Sequence, residues 1–317
     1  MILKQEKKKI FITGGAGYIG SVLAEELLKE GHHVRVLDNF MHRQIPFGHL
    51  LHHKELELVR GDARSEVVLK QCLQGVDIII PLAAILGAEA CDRDTIATET
   101  TNLEAIKLLL RLRDQEQKII YPNTNSGYGV GEKGVFCDET TSLNPISLYG
   151  RTKVEAEKAI LKAGNAITFR LATVFGVSPR MRIDLLVNDF VHRAVTEGYV
   201  VLFESHFKRN YIHVRDVARA FAHAIENFDL MKNEAYNVGL SDANLSKREL
   251  CEAVKKHIPG FYIVEAEIGE DPDKRNYIVS NAKIEKTGFR PKYSIDDGIV
   301  ELTKLYRTIK RWPLSNL

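Results

Sequence analysis

At 317 residues, with 44% apolar and 27% charged side chains and a formal net charge of +2, the chain has an ordinary globular composition and is long enough for one large α/β domain or a large and a small one. So small a net charge gives no reason to invoke nucleic acid or a membrane surface as a partner. Four scattered cysteines (Cys72, Cys91, Cys137, Cys251) without C-x-x-C spacing indicate neither zinc nor a disulfide framework, no signal peptide precedes the first strand, and the longest apolar run, Val76 to Ala88, holds a proline and is too short to span a bilayer, so the expected setting is a reducing cytoplasm.

Ile10-Phe11-Ile12 reads as a buried strand, Thr13 to Gly20 as a glycine turn, and Ser21 to Leu28 carries apolar residues at helical spacing up to Gly31. Strand, turn and helix N-terminus together make a pocket for a diphosphate. Small residues let the backbone approach the anion, and unpaired N–H groups with the helix dipole stabilise it. Gly14, Gly17 and Gly20 are spaced G-x-x-G-x-x-G rather than G-x-G-x-x-G, so the pattern draws its meaning from its place between strand and helix. The next strand, His33 to Leu37, ends at Asp38, where an acid meets the adenosine ribose. A carboxylate there accepts ribose hydroxyls and repels a 2′-phosphate, and neither Arg35 nor Arg43 occupies the adjacent position. The cofactor expected is therefore NAD rather than NADP.

Asn39 to Lys54 contains His42, His49, His52 and His53 with no acid or cysteine at ligand spacing, so an exposed loop or helix face is expected and no metal. Leu56 to Val59 is a short strand ending in Gly61-Asp62-Ala63, where Asp62 can accept the adenine amino group, and Ser65 to Gln74 is helix-like. Asp77 to Ile80 has the unbroken apolar character of a strand buried on both faces. It ends in Pro81-Leu82-Ala83-Ala84, small residues at a carboxyl end, where open α/β sheets bind ligands. Asn102 to Arg113 has leucines at helical spacing and Lys118 to Tyr121 is the next strand. This alternation predicts an α/β fold with a doubly wound parallel sheet of Rossmann type.

Pro122 to Gly129 follows, and Asn144-Pro145 opens a loop into Tyr149-Gly150-Arg151-Thr152-Lys153, which continues as a helix through Lys162. Tyr149 and Lys153 are four apart and share one helical face. A phenol with a pKa near ~10 is a poor base at neutral pH. An ammonium beside it favours the phenolate, and a nicotinamide adds positive charge. Tyr-x-x-x-Lys alone is a common surface pair, and here its weight comes from following a dinucleotide fold. A binding module that had lost the chemistry would be expected to lose one of the two.

At these residues the chain resembles the extended short-chain dehydrogenase/reductase family, the NAD-dependent nucleotide-sugar epimerases and dehydratases. Thr13 to Gly20 is similar to its T-G-G-x-G-x-I-G, Gly61-Asp62 to its adenine-side motif, and Leu82-Ala83-Ala84 to H-x-A-A with Pro81 replacing histidine. Tyr149 and Lys153 match Tyr-x-x-x-Lys. Arg170 to Gly176 resembles R-x-x-N-V-Y-G with Thr173 for asparagine, and Arg209 to Val217 resembles R-D-Y-I-H-V-x-D-V, which makes His213 structural. The resemblance implies catalysis by Thr124, Tyr149 and Lys153. It implies a cofactor held by Gly14, Gly17, Tyr18, Ile19, Gly20, Asp38, Asn39, Asp62, Ala63, Leu82, Ala83, Ala84, Asn102, Tyr149, Lys153 and Val174. It also implies a sugar nucleotide met by Thr124, Asn125, Ser126, Arg180, Asn188, Arg209 and Arg275, with Arg209 and Arg275 on the diphosphate.

Further implications are a NAD-binding domain over 1–176 with 211–239 packing back onto it, and a substrate domain from 177–210 and 240–317. A homodimer or higher homo-oligomer is also implied, pairing the Tyr149 helix and the Asn102 to Arg113 helix with their symmetry mates. The apolar excess of Leu103, Ile106, Leu108, Leu109 and Leu110 fits such an interface. Asn125 and Ser126 stand where dehydratases of the family carry an Asp-Glu pair, which excludes a 4,6-dehydratase. Tyr121 to Gly129, Val174 to Arg182, Asp184 to Phe190 and the Glu270 to Arg275 loop are similar to a subgroup from bacterial capsule heptose pathways. Those enzymes oxidise C4 of GDP-D-glycero-α-D-manno-heptose. A 4-epimerase uses the same residues and is the alternative.

Overall fold

The computed structural model describes residues 6–44, 46–266, 268–269 and 274–309. Seven strands form one sheet in the order Glu234–Val238, Ala166–Leu171, Lys118–Thr124, Ile78–Pro81, Lys9–Thr13, His33–Asp38, Leu56–Arg60. The pairings from Lys118–Thr124 across to Leu56–Arg60 are parallel. This is the doubly wound sheet expected. Chain order reverses between Lys9–Thr13 and Ile78–Pro81, and beyond the carboxyl ends at such a point open α/β sheets bind ligands. Ile10, Phe11, Ile12 and Ile78 to Ile80 are buried, as strands covered on both faces must be.

The helix Tyr18–Lys29 follows the glycine turn, and Ser65 caps Glu66–Cys72 through its hydroxyl. Between Asp38 and Leu56 the described chain makes turns rather than a helix, with Phe47 and Leu50 buried and His42, His49 and His52 exposed. The Asn102 to Arg113 stretch is not one regular helix. A π-helical turn, Thr100–Glu104, leads into Ala105–Leu112. Leu103, Ile106, Leu108 and Leu109 are buried in one core cluster with Phe11, Ile119 and Tyr121. Leu110, the fifth residue of the expected interface set, is partly buried against the same cluster.

The chain forms two compact units. One comprises Met1–Asn123, Ser147–Phe169 and Phe221–Ala235, and the other Thr124–Ile146, Arg170–Ala220 and Tyr236–Leu317. Within the second, Lys208–His213 pairs antiparallel with Asn244–Ser246 and parallel with Thr173–Phe175. Two small parallel pairs accompany them, Tyr199–Leu202 with Tyr262–Glu265 and Phe136–Cys137 with Ile278–Val279. Its helices Lys247–His257 and Ile295–Thr308 each begin in a reciprocal capping box, Ser246 with Glu249 and Ser294 with Asp297. Among the described residues no helix is long and apolar enough to cross a membrane. The four cysteines are buried free thiols.

Candidate active site

In the first unit, Gly14 takes φ +68° directly after the strand Lys9–Thr13, and a Cβ there would stand 2.6 Å from the Ala83 backbone. Only glycine lets the ends of the two central strands approach this closely. Gly20, inside the helix, would press a Cβ to 2.5 Å from the Gly15 carbonyl oxygen. The helix starts at Tyr18 behind Gly17, with no side-chain cap and no acid in its first turn, so the positive end of its dipole is not neutralised by its own side chains. This cradle fits a dinucleotide diphosphate.

Asp38 lies at the carboxyl end of the neighbouring strand. Its Oδ2 accepts the Ala16 N–H at 2.9 Å and its Oδ1 the Phe40 N–H at 2.8 Å, which fixes the carboxylate while leaving each oxygen a lone pair for a ribose hydroxyl. Arg35 is committed elsewhere, to Glu57 and to the carbonyls of Cys72 and Gln74. The residue paired with Asp38 in the sheet is Arg60, which is exposed. Sequence reading missed it, because the sheet register alone brings it there. Asn39 is exposed and accepts the Met41 N–H. Asp62 holds the Arg64 guanidinium across both oxygens, and Arg64 keeps its carboxyl below the usual carboxylate range. Ala63, Leu82, Ala83 and Ala84 are half-buried, and Leu82 and Ala83 donate their N–H groups to the Thr13 carbonyl and hydroxyl oxygens. Asn102, 1% exposed and inside the π-helical turn, accepts from the Ile85 N–H and donates to the Ile85 carbonyl and the Thr152 hydroxyl. It braces the segment after Ala84 against the helix that carries Tyr149 and Lys153.

That helix, Leu148–Ala163, is capped by the Ser147 hydroxyl on the Gly150 N–H, which puts Tyr149 in the first turn. The positive end of the helix dipole favours phenolate there. Lys153, one turn on, is 4% exposed, with its Nζ 4.0 Å from the centre of the Tyr121 ring. Burial pushes its pKa down to about 7 against the pull of Glu157. Glu157, a further turn along the same face and also buried, accepts from Asn123 Nδ2 at 2.6 Å and Thr168 Oγ1 at 3.3 Å. Its four-residue spacing from Lys153 was the signal that could have revealed it.

In the second unit, Thr124 caps the short turn Asn125–Tyr128, its oxygen accepting the Ser126 N–H at 3.1 Å. The Thr124 and Ser126 hydroxyl oxygens are 3.0 Å apart, and Arg275 Nη1 donates to Ser126 Oγ. Asn125 is 1% exposed, and neither end of its amide has a hydrogen-bond partner among the described residues. Tyr128 accepts from Arg170 and bonds Asn237 and the Asp138 carbonyl, and burial pushes its pKa up to about 12, so it serves structure.

Val174 is buried in the strand Thr173–Phe175 beside Ile212. Arg180 is buried and donates to the Met181 carbonyl. The buried Asn188 accepts the Gly176 N–H at 3.0 Å and donates to the Arg182 carbonyl at 2.8 Å, tying together the two ends of the 176–182 loop. Arg209 is buried, donates to the Lys208 carbonyl and has its guanidinium carbon 5.5 Å from the centre of the Tyr277 ring. His213 is fully buried and bonds Glu301 at 2.8 Å, and Glu301 also accepts the Val177 N–H. Glu270 to Asp273 of the late loop lie outside the described residues. Among the described residues no group of three or more His, Cys, Asp or Glu is placed to hold a metal ion.

The sequence pattern described as "NAD dependent epimerase/dehydratase family" matches residues 10–239. An uncharacterized UDP-glucose epimerase of Bacillus subtilis, YtcB, is 28% identical, over 94% of this chain and 99% of that protein. A UDP-glucose 4-epimerase of Corynebacterium glutamicum is 25% identical over 92% of this chain and 94% of its own. Among solved structures, the NAD complex of Thermus thermophilus UDP-glucose 4-epimerase superposes with a TM-score of 0.78 at 25% identity, covering 94% of this chain and 99% of that one. Pal from Bacillus thuringiensis gives a TM-score of 0.84 at 21% identity, covering 95% and 99% respectively.

Proposed function

The chain belongs to the NAD dependent epimerase/dehydratase family, and from that premise we propose that it oxidises the C4 hydroxyl of a sugar nucleotide, GDP-D-glycero-α-D-manno-heptose, and releases the 4-keto product for capsule or surface polysaccharide synthesis. The observation that carries the oxidation is a tyrosine in the first turn of a helix with a buried lysine one turn behind it. Helix dipole and ammonium both favour the Tyr149 phenolate, which takes the proton from the sugar hydroxyl. Lys153 sustains the phenolate and bonds the nicotinamide ribose. Thr124 bonds the reacting oxygen and orients it. The amides of the Gly14 to Gly20 turn hold the diphosphate and Asp38 holds the ribose. NAD, when bound, takes up the hydrogen and the two electrons that leave C4.

The substrate reading draws support from the likeness of Tyr121 to Gly129, Val174 to Arg182 and Asp184 to Phe190 to the heptose-oxidising subgroup. The Asn125 amide suits a polyhydroxylated sugar, because a buried amide lacking partners is costly until a ligand satisfies it. Elimination of water across C5 and C6 needs an acid and a base after Thr124, and Asn125 and Ser126 offer neither near neutral pH. The second reading, a nucleotide-sugar 4-epimerase, is favoured by the likeness to YtcB and to the Corynebacterium enzyme. Incubation of the purified protein with NAD and a panel of GDP- and UDP-sugars, with products identified by mass and NMR, tests the proposal. A 4-keto GDP-heptose supports it. Loss of water from any sugar nucleotide, or turnover of hexose nucleotides alone, overturns it.

A further inference from the structure

Resting on the reading that Thr124 bonds the reacting sugar oxygen, we propose that Arg275 is a positioning residue which, through Ser126, fixes the Thr124 hydroxyl as a hydrogen-bond donor. Arg275 Nη1 donates to Ser126 Oγ, and because a guanidinium has no acceptor this bond runs one way only. The Ser126 and Thr124 hydroxyl oxygens stand 3.0 Å apart, and the Thr124 oxygen also accepts the Ser126 backbone N–H at 3.1 Å. Either hydroxyl can donate across that gap. Charge decides which. A cation donating into Ser126 Oγ polarises the Ser126 O–H and makes it the stronger donor, since bonds in a chain strengthen one another. Ser126 is 2% exposed, so solvent does little to screen the effect.

The Ser126 proton therefore goes to Thr124. Both lone pairs of the Thr124 oxygen are then filled, and its own proton is the one left to bond a ligand. A hydroxyl committed to donating suits an oxygen that gains negative charge and becomes a carbonyl. It accepts nothing from the sugar hydroxyl, whose proton stays available to Tyr149. Arg275 carries its charge toward the reacting oxygen from 149 residues downstream of Ser126 without touching the sugar.

The test is a double-mutant cycle of Arg275→Gln and Ser126→Ala in the full chain, with NAD and GDP-D-glycero-α-D-manno-heptose. Each single variant should lose kcat by about tenfold, the scale of one charge-assisted hydrogen bond, with KM nearly unchanged. The double variant should be no worse than Ser126→Ala, because removal of Arg275 then has nothing to act through. Arg275→Lys should restore part of the lost kcat. If Arg275 instead grips the diphosphate, Arg275→Gln will weaken GDP binding in calorimetry by tenfold or more and the two losses will add; either result overturns the proposal. Thermal denaturation of the same four proteins needs no turnover. Non-additive shifts in Tm support the coupling and additive ones overturn it, even if the wild type oxidises no sugar nucleotide, an outcome that counts against the function reading alone.

Discussion

Replacing Lys153 by methionine removes a buried, titrating amine one helical turn behind Tyr149. Burial lowers the pKa of this lysine from 10.5 to about 7. Proton counting gives the sign. Between those two values the unfolded chain holds a proton that the folded chain has released, so raising the pH favours folding. Below about 7 both states carry the proton and the folded state bears the full cost of the buried charge. A gap of about 3.5 units at 1.36 kcal/mol per unit makes that cost ~5 kcal/mol. At pH 9 only about 1.5 units of the gap remain, leaving about 2 kcal/mol. Methionine fills a similar volume and cannot ionise. Lys153→Met should therefore exceed the wild type in stability by ~5 kcal/mol at pH 6, falling to about 2 at pH 9, while losing turnover. Urea denaturation of both proteins across this range reads the difference, and titrating groups that do not interact with Lys153 cancel. Equal stabilities at pH 6, or a difference that does not shrink with pH, would refute the reasoning.

Tyr149→Phe should keep its fold and its NAD affinity but lose at least ~10²-fold in kcat, the usual scale for a general base; near-normal turnover would remove Tyr149 from that role. The wild type should bind NAD far better than NADP, and Asp38→Ala should narrow the gap by admitting a 2′-phosphate beside Arg60, its neighbour in the sheet. Comparable wild-type affinities in a titration would overturn the role of Asp38. Asn188→Leu strands the Gly176 N–H and the Arg182 carbonyl, two groups whose desolvation together costs about 3 kcal/mol. A loss below ~0.5 kcal/mol in urea denaturation would show that the 176–182 loop holds without this brace.

Local signals carried the parts of the fold that the sequence made legible. The glycine turn, the apolar strands and the Tyr149–Lys153 spacing depend on neighbours a few residues away, and periodicity reports those. The parts that escaped depend on register and on distant chain. The place of Arg60 opposite Asp38 follows only from the parallel pairing of two strands. Glu301 braces Val177 and His213 from a helix more than eighty residues away in sequence. The π-helical turn at Thr100–Glu104 leaves the apolar spacing nearly intact, so leucine periodicity passes over it. A wide apolar face looks the same in sequence whether it covers the chain's own core or another subunit, and Leu103, Ile106 and Leu109 are buried in the core of this chain.

The proposed reaction oxidises C4 and releases the keto sugar. A redox count tests it most directly: GDP-D-glycero-α-D-manno-heptose is incubated with excess NAD, NADH is read by its absorbance after the protein is denatured, and sugar products are quantified by NMR in the same sample. One NADH should form for each 4-keto sugar, with no product inverted at C4. A C4-inverted sugar with no net NADH would contradict it.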